Sequence, residues 1–198
     1  MTEKYVTIDD LVVAPCQEAC PAGIDVPRYI RAVKDGRYDE AVAVIREKIP
    51  FPVVCADACF APCEDVCAYR QFGDPIAIRA LKMAAVDRGG DAWRQNKKVS
   101  ETTGKKVAIV GAGPAGLTTA YYLASKGHAV KVFDAFPEPG GMMRYGIPRY
   151  RVPEERLAKD IHEILALGVE FEGNTTIGKD LPLDRLKADF DAVFLASG

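Results

Sequence analysis

Six cysteines fall in two groups near the start of the chain: Cys16 and Cys20, followed by Pro21, and then Cys55, Cys59, Cys63 and Cys67 at intervals of four. Thiolates bind iron and zinc well, and in a reducing compartment clustered cysteines are more often metal or redox centres than disulfides. Cys20-Pro21 matches the end of a ferredoxin-type C-x3-C-P run, where neighbouring thiolates can serve different clusters. The C-x2-C knuckles of structural zinc sites are missing. Spacing by four would line up Cys55 to Cys67 on one helical face, but Pro62 interrupts it, so the segment reads as a loop wrapping an inorganic core. An iron–sulfur cluster is the first expectation, with structural zinc and plain buried thiols as alternatives. Six thiolates are too few for two cubanes held by cysteine alone. Either one cluster forms with two cysteines spare, or a second is completed by another ligand.

A second constellation is Gly111-Ala-Gly113-Pro114-Ala115-Gly116, directly after the apolar run Lys106–Val110 and at the start of a helical pattern. In that context each glycine has a task. Gly111 allows a sharp turn, Gly113 lets backbone approach a pyrophosphate, and Gly116 lets helix and strand pack closely. The helix N-terminus then offers N–H groups to the phosphates. Asp134 stands at the end of the next apolar run, 18 positions after Gly116, near the ~20 expected for an acid that binds ribose hydroxyls. An acid there suits FAD or NAD better than a 2′-phosphate.

The elements that must position these groups divide the chain. Residues 1–90 read as helical: Asp25 caps a helix that ends near Gly36, Tyr38 to Ile49 have helical spacing, and a third helix starts near Asp74-Pro75. Residues 91–104 are polar and unpatterned, and read as a linker. Residues 105–198 alternate strand and helix. Strands are expected at 106–110, 129–133, 169–171 and 191–196, helices at 114–126 and after Pro153, and a Gly/Pro-rich loop before Pro153. Such alternation implies a parallel sheet with right-handed crossovers. The fold class is therefore an α-helical iron–sulfur module followed by a partial, Rossmann-like α/β FAD-binding domain.

The chain has 198 residues, 48% of them hydrophobic, and a formal net charge of -2. This gives no electrostatic reason to expect nucleic acid or an anionic membrane. No apolar run reaches the ~18 residues of a membrane span, and the first residues lack the pattern of a secretory signal. The expected compartment is the cytoplasm.

Several motifs recur together in one known order. They are Cys20-Pro21, Pro62-Cys63-Glu64-x2-Cys67 followed by Pro75-Ile-Ala-Ile, Val110-Gly-Ala-Gly-Pro-Ala-Gly-Leu117, and Gly140-Gly-Met-Met-Arg-Tyr-Gly-Ile-Pro148 with Arg151-Val-Pro153. From Pro15 onward the chain resembles the small (FAD/iron–sulfur) subunit of glutamate synthase. It is similar also to the N-terminal half of dihydropyrimidine dehydrogenase and to the large subunit of electron-bifurcating ferredoxin:NADP oxidoreductase. The resemblance implies an NAD(P)H-dependent oxidoreductase in which FAD takes a hydride and electrons leave through [4Fe-4S] clusters, one or two here, to other subunits of an electron-transfer complex.

By the same resemblance, Gly111, Gly113, Pro114, Ala115, Gly116 and Asp134 would hold FAD. The loop with Gly140, Gly141, Arg144 and Ile147 would lie along the flavin, and Cys16, Cys20, Cys59, Cys63 and Cys67 match cluster-ligand positions. Two cysteines that many relatives carry before Cys16 are absent, and Cys55, at a position that relatives often fill differently, is the candidate replacement ligand. Some relatives have a glutamine near the position of Lys82. The chain stops where these relatives insert their NAD(P)H domain, so NAD(P)H binding is expected only with that domain or a partner.

Met142 and Met143 are either flavin neighbours or gap-fillers. Arg149 and Arg151 are either phosphate partners or a solvated face, and His128 and His162 read as exposed. No catalytic side chain is expected, because the cofactors carry the redox chemistry. The competing functions are an electron-relay or docking module without its own NAD(P)H site, and a zinc-stabilised nucleotide-binding protein.

Overall fold

The computed structural model describes residues 13–91 and 100–198. Most of the expected linker, residues 92–99, lies outside the described residues, as does the start of the chain. By contacts, the described residues form two compact units. One comprises those within Met1–Lys48 and Phe60–Gly90, the other those within Ile49–Cys59 and Asp91–Gly198. This differs from a division by sequence position in one segment: Ile49–Cys59 groups with the α/β unit.

The first unit is helical. It contains α1 (Pro15–Glu18), α2 (Val26–Lys34), α3 (Tyr38–Arg46), α5 (Pro62–Asp65) and α6 (Ile78–Arg88). The Asp25 carboxylate accepts from the Arg28 amide and caps α2, as its position before the apolar run predicts. Tyr29, Ala32, Ala41, Val44, Ile45, Ile78 and Ala85 form the buried interior. The Tyr29 hydroxyl donates to the Ile78 carbonyl at 3.2 Å, so the phenol is buried without losing a partner. Helix α6 begins at Ile78, a few residues after the expected start. There the Glu64 carboxylate accepts from the Arg79 amide at 2.8 Å, serving a donor that α6 cannot satisfy itself.

The segment read as a loop, Cys55 to Cys67, is instead built from α4 (Pro52–Ala58), α5 and a 3-10 turn at Ala68–Gln71. Proline ends a helix but also starts one well. Pro52 and Pro62 each stand in the first turn of a short helix, and Ala61 before Pro62 takes a left-handed conformation that breaks the run.

The second unit carries a four-stranded sheet of β1 (Lys106–Val110), β2 (Ala129–Phe133), β3 (Glu170–Glu172) and β4 (Ala192–Leu195). Its order is β3-β2-β1-β4 and every pair is parallel. Strands buried on both sides carry near-continuous apolar sequence, which is why Val107 to Val110 and Val130 to Phe133 read clearly. Helices α7 (Pro114–Ser125) and α9 (Glu154–Leu165) bury Leu117, Ala120, Leu157, Ile161 and Ile164 with Ile109 and Val132, and Phe51 and Val54 join the same core. Helix α10 (Leu183–Asp189) places Leu186 against Ala108 and Phe133 in a smaller cluster. Besides α4, two helices of this unit were not read from sequence: α10, and α8 (Met142–Tyr145) within the expected loop.

Candidate functional site

Parallel α/β sheets bind ligands beyond the carboxyl ends of their strands. A cavity of about 530 Å³ lies there, at the ends of β1, β2 and β4. Of the residues singled out by sequence, Gly111, Gly113, Pro114, Ala115, Asp134, Gly141 and Met142 line it. Helix α7 opens with Gly113 as its N-cap and no side chain capping it, leaving its first N–H groups for an anion.

The glycines fit this arrangement. A Cβ on Gly116 would sit 1.9 Å from the Gly111 carbonyl oxygen, so α7 packs onto the loop only with glycine there. Gly141 has a positive φ of 50°, and a Cβ on it would lie 2.6 Å from the Gly113 Cα. The Gly140 amide donates to the Ala112 carbonyl at 2.8 Å. The second glycine motif is thus folded directly onto the first. A Cβ on Gly113 would meet only Gly141, at 4.0 Å, so the space over Gly113 that a diphosphate needs is open.

Asp134 sits at the end of β2, as expected, and is engaged with backbone. The Ala112 amide donates to its Oδ2 at 2.5 Å and the Phe136 amide to its Oδ1 at 2.8 Å. An ionised carboxylate has about four acceptor sites, so two hydrogen bonds leave capacity for ribose hydroxyls.

Gly116, Gly140, Arg144 and Ile147 do not line the cavity. Arg144 is directed elsewhere: its Nε donates to the Pro139 carbonyl at 2.7 Å, and its Nη1 pairs with Glu138 at 2.6 Å and also with Glu154. With 10% of the side chain exposed, it ties α8 to the first turn of α9. Ile147 packs against the main core. The cavity wall is completed by Phe136, Met142, Tyr145, Thr175, Thr176 and Ser197, of which only Met142 drew notice in the sequence. Phe136 and Tyr145 stack with ring centroids 4.5 Å apart. Two aromatics flanking a Gly/Pro-rich stretch at positions 136 and 145 were the available signal.

A second hollow of about 740 Å³ lies against β2, β3 and α10. Its Lys131 pairs with Glu172 at 2.7 Å and its Arg185 with Asp189 at 2.7 Å, and neither glycine motif borders it. These charges are already matched, so the smaller cavity is the better nucleotide site.

Cys16, Cys20, Cys63 and Cys67 belong to the helical unit, where α1 lies against α5. Cys63 and Cys67 are buried. Burial pushes the Cys16 thiol up, and the nearby Cys67 thiol adds to the shift. Cys55 lies within α4 and Cys59 is its C-cap, both in the α/β unit. All six thiols are unbridged. Among the described residues, no three His, Cys, Asp or Glu side chains converge as a ready single-ion site. The donor set, six thiols and no disulfide, has the chemistry of iron–sulfur ligation. Lys82 is buried on α6. His128 Nδ1 lies 2.7 Å from the Thr103 hydroxyl, and His162 is exposed.

Residues 11–92 match the family model described as dihydropyrimidine dehydrogenase domain II, 4Fe-4S cluster, and residues 109–162 match that of an NAD(P)-binding Rossmann-like domain. The chain is 43% identical to the NADP(+)-dependent formate dehydrogenase subunit beta of Moorella thermoacetica, over 98% of its own length and 30% of that protein. It is 46% identical to the NADPH-Fe(3+) oxidoreductase subunit beta of Geobacter sulfurreducens, over 96% of its length and 29% of the relative. With the glutamate synthase [NADPH] small chain of Mycobacterium tuberculosis it shares 35% identity, over 92% of its length and 38% of the relative. The chain therefore spans about a third of the length of these relatives. The resemblance read from its motifs holds: a helical 4Fe-4S module precedes a Rossmann-like domain with a parallel sheet. Among the described residues no helix is long and apolar enough to cross a membrane.

Proposed function

From that kinship we propose that the chain is the cluster- and flavin-binding portion of an NAD(P)H-dependent oxidoreductase subunit that passes electrons to partner subunits. FAD would occupy the cavity beside Gly111, Gly113, Pro114, Ala115 and Gly116, with Asp134 on its ribose and the Gly140–Gly141 turn closing over the diphosphate. Cys16, Cys20, Cys55, Cys59, Cys63 and Cys67 are the pool of thiolates for one or two [4Fe-4S] clusters. The functional division is residues 1–90 for the clusters and 105–198 for the flavin, joined by 91–104, with α4 as the cysteine-bearing helix on the flavin side. The cytoplasm is the compartment that suits such thiolates.

Bound FAD would supply two-electron hydride chemistry and bound iron–sulfur clusters one-electron transfer, so the redox chemistry would belong to the cofactors. The protein's part is position. Free N–H groups at the start of α7 neutralise the diphosphate, and Met142 and Tyr145 give the cavity an apolar wall. Arg144 holds α8, which carries both, against α9.

The observation that carries the reading is the joining of the two glycine motifs, Gly113 against Gly141, beside an acid at the end of β2. The fingerprint could also hold NAD(P), the ligand class of the matched domain model. Asp134 opposes the 2′-phosphate of NADP by like charge, which leaves FAD and NAD; between these, the Gly140–Gly141 turn, which the resemblance assigns to the flavin, favours FAD. Anaerobically purified chain should be brown, contain iron and acid-labile sulfide, and release yellow flavin on denaturation. Release of a pyridine nucleotide instead would reverse the assignment of the cavity, and colourless protein with stoichiometric zinc would reverse that of the cysteines.

A further inference from the structure

Helix α4 is seven residues long, contains Val53 and Val54 in its first turn, and has no side-chain cap from its own N-cap residue, Phe51. A helix so short is not stable by itself in water. What holds it comes from α9, in the same compact unit. One oxygen of Asp160, which is fully buried, accepts from the amides of both Val53 and Val54 at 3.0 Å. These are two of the orphan donors of the α4 N-terminus. Arg156 makes a bidentate pair with Asp57 at 2.6 and 2.8 Å, with 6% of the Asp57 side chain exposed. At the other end, Arg151 reaches to 3.5 Å from the Ala58 carbonyl. An acid at the N-terminus of α4 and a base at its C-terminus both complement its dipole.

The two residues that this arrangement places are Cys55, inside α4, and Cys59, its C-cap. The other end of α9 faces the cavity wall. Glu154 in its first turn pairs with Arg144 of α8, the helix that contributes Met142 and Tyr145 to the cavity. Polar ties at both ends of α9 therefore link α8, which supplies part of the cavity wall, to α4, which ends on Cys59.

We propose that α9 sets the spacing between the dinucleotide cavity and the Cys55 and Cys59 thiols, with Asp160 and Arg156 as positioning residues for Cys59 as a cluster ligand. This rests on the assignment of the cysteines to iron–sulfur chemistry. A buried Asp that caps a helix needs no function beyond stability. Here the helix it caps ends on the cysteine, and the helix that supplies the cap also anchors the wall of the cavity. The same contacts that stabilise the unit thereby fix where electrons can leave it.

The test uses the whole chain, purified anaerobically with FAD present, as wild type, Asp160→Ala, Asp160→Asn and the double variant Asp57→Asn/Arg156→Gln. Asp160→Ala should change the electron paramagnetic resonance line shape of the dithionite-reduced cluster. It should also speed iron loss to a chelator by roughly tenfold, the scale of a lost helix cap, while bound flavin stays at the wild-type level. Asp160→Asn keeps an oxygen acceptor and should restore both properties. A purely structural role would lower the melting temperature and leave the line shape untouched. Unchanged line shape and iron release in Asp160→Ala overturn the proposal, and if that variant does not fold, the same outcome in the double variant does so. Wild-type chain without iron would defeat the cluster assignment instead. The alkylation rate of Cys59 in iron-free chain then decides the positioning: faster in Asp160→Ala supports it, equal rates overturn it.

Discussion

The Asp134 carboxylate accepts a hydrogen bond from the amide of Ala112, 22 residues earlier in the chain, at 2.5 Å. The acid at the end of β2 thus braces the turn that begins the dinucleotide fingerprint. Replacing it removes a partner from a loop amide as well as a ribose acceptor. Asp134→Ala is expected to weaken FAD binding by about 1–3 kcal/mol, about 5- to 150-fold in Kd. Titration of flavin fluorescence against the protein measures this directly. Unchanged affinity would mean that the flavin lies elsewhere.

Gly141 is confined from two directions, by a positive φ and by the Gly113 Cα that a Cβ would meet at 2.6 Å. Gly141→Ala must either strain the turn or lift it from the fingerprint. A cost of about 1–3 kcal/mol is expected from the conformation alone. Flavin affinity should fall with it. Thermal unfolding with and without FAD separates the two losses.

Arg144 is the tie between α8 and α9, paired with Glu138 and Glu154 and bonded to the Pro139 carbonyl. Arg144→Leu keeps the apolar stem but removes the shared partner of both carboxylates. Because Glu138 is mostly exposed, and Glu154 is partly exposed and keeps Arg149 at 3.8 Å, the expected cost is only about 1 kcal/mol. Denaturant unfolding gives the stability change. Weaker flavin binding in the same variant would show that α8 has loosened.

Cys63 and Cys67 are the two buried thiols of the set. Serine at either position is expected to lower bound iron by at least about half, because an alcohol is a much poorer ligand than a thiolate for this metal. The FAD content of the α/β unit should be unaffected. Parallel iron, sulfide and flavin analysis of each variant is the check, and full iron retention in both would count against the ligand assignment.

At the edge where β1 and β4 begin, Asp191 accepts from the Lys105 ammonium and the Lys106 amide, both at 2.8 Å. The Lys105 hydrogen bond, followed by the Lys106 amide, holds the Asp191 carboxyl below its ordinary range. Glu172 is lowered likewise, chiefly by Lys131. A carboxyl whose pKa is depressed by folding contributes stability above its unfolded value and loses it as pH falls through the folded one. Stability should therefore decline in the acid range below about pH 4. Asp191→Asn should flatten part of that decline, modestly, since the group is exposed. Urea midpoints between pH 3 and 7 report both effects.

The parts of this protein legible in its residues are those whose constraints are local. A strand–turn–helix unit with a fingerprint needs its glycines within six positions, so Gly111, Gly113 and Gly116 could be assigned tasks before any fold was known, and Asp134 followed from the length of one helix and one strand. The boundaries of β1 and β2 and the Asp25 cap of α2 were readable for the same reason. The cysteine segment was misread as a loop because proline carries two meanings. Pro62 does end a helical run, but both Pro52 and Pro62 also begin short helices, and only packing reveals which turn is filled.

Partner choice over distance was not legible. Arg144 lies in a motif that invites a flavin contact, yet carboxylates on either side of the loop claim it, since a nearly buried guanidinium must be paired. The cap of α4 by Asp160 joins residues 107 positions apart. Hydrophobic period places Asp160 on α9, but no period says that a helix N-terminus will be folded against it. Residue types and short spacings thus determined which chemistry this chain can carry. Only the packing of α9 on α4 and of one glycine turn on another decided where those groups stand, because burial forces each polar atom to find a partner wherever the fold supplies one.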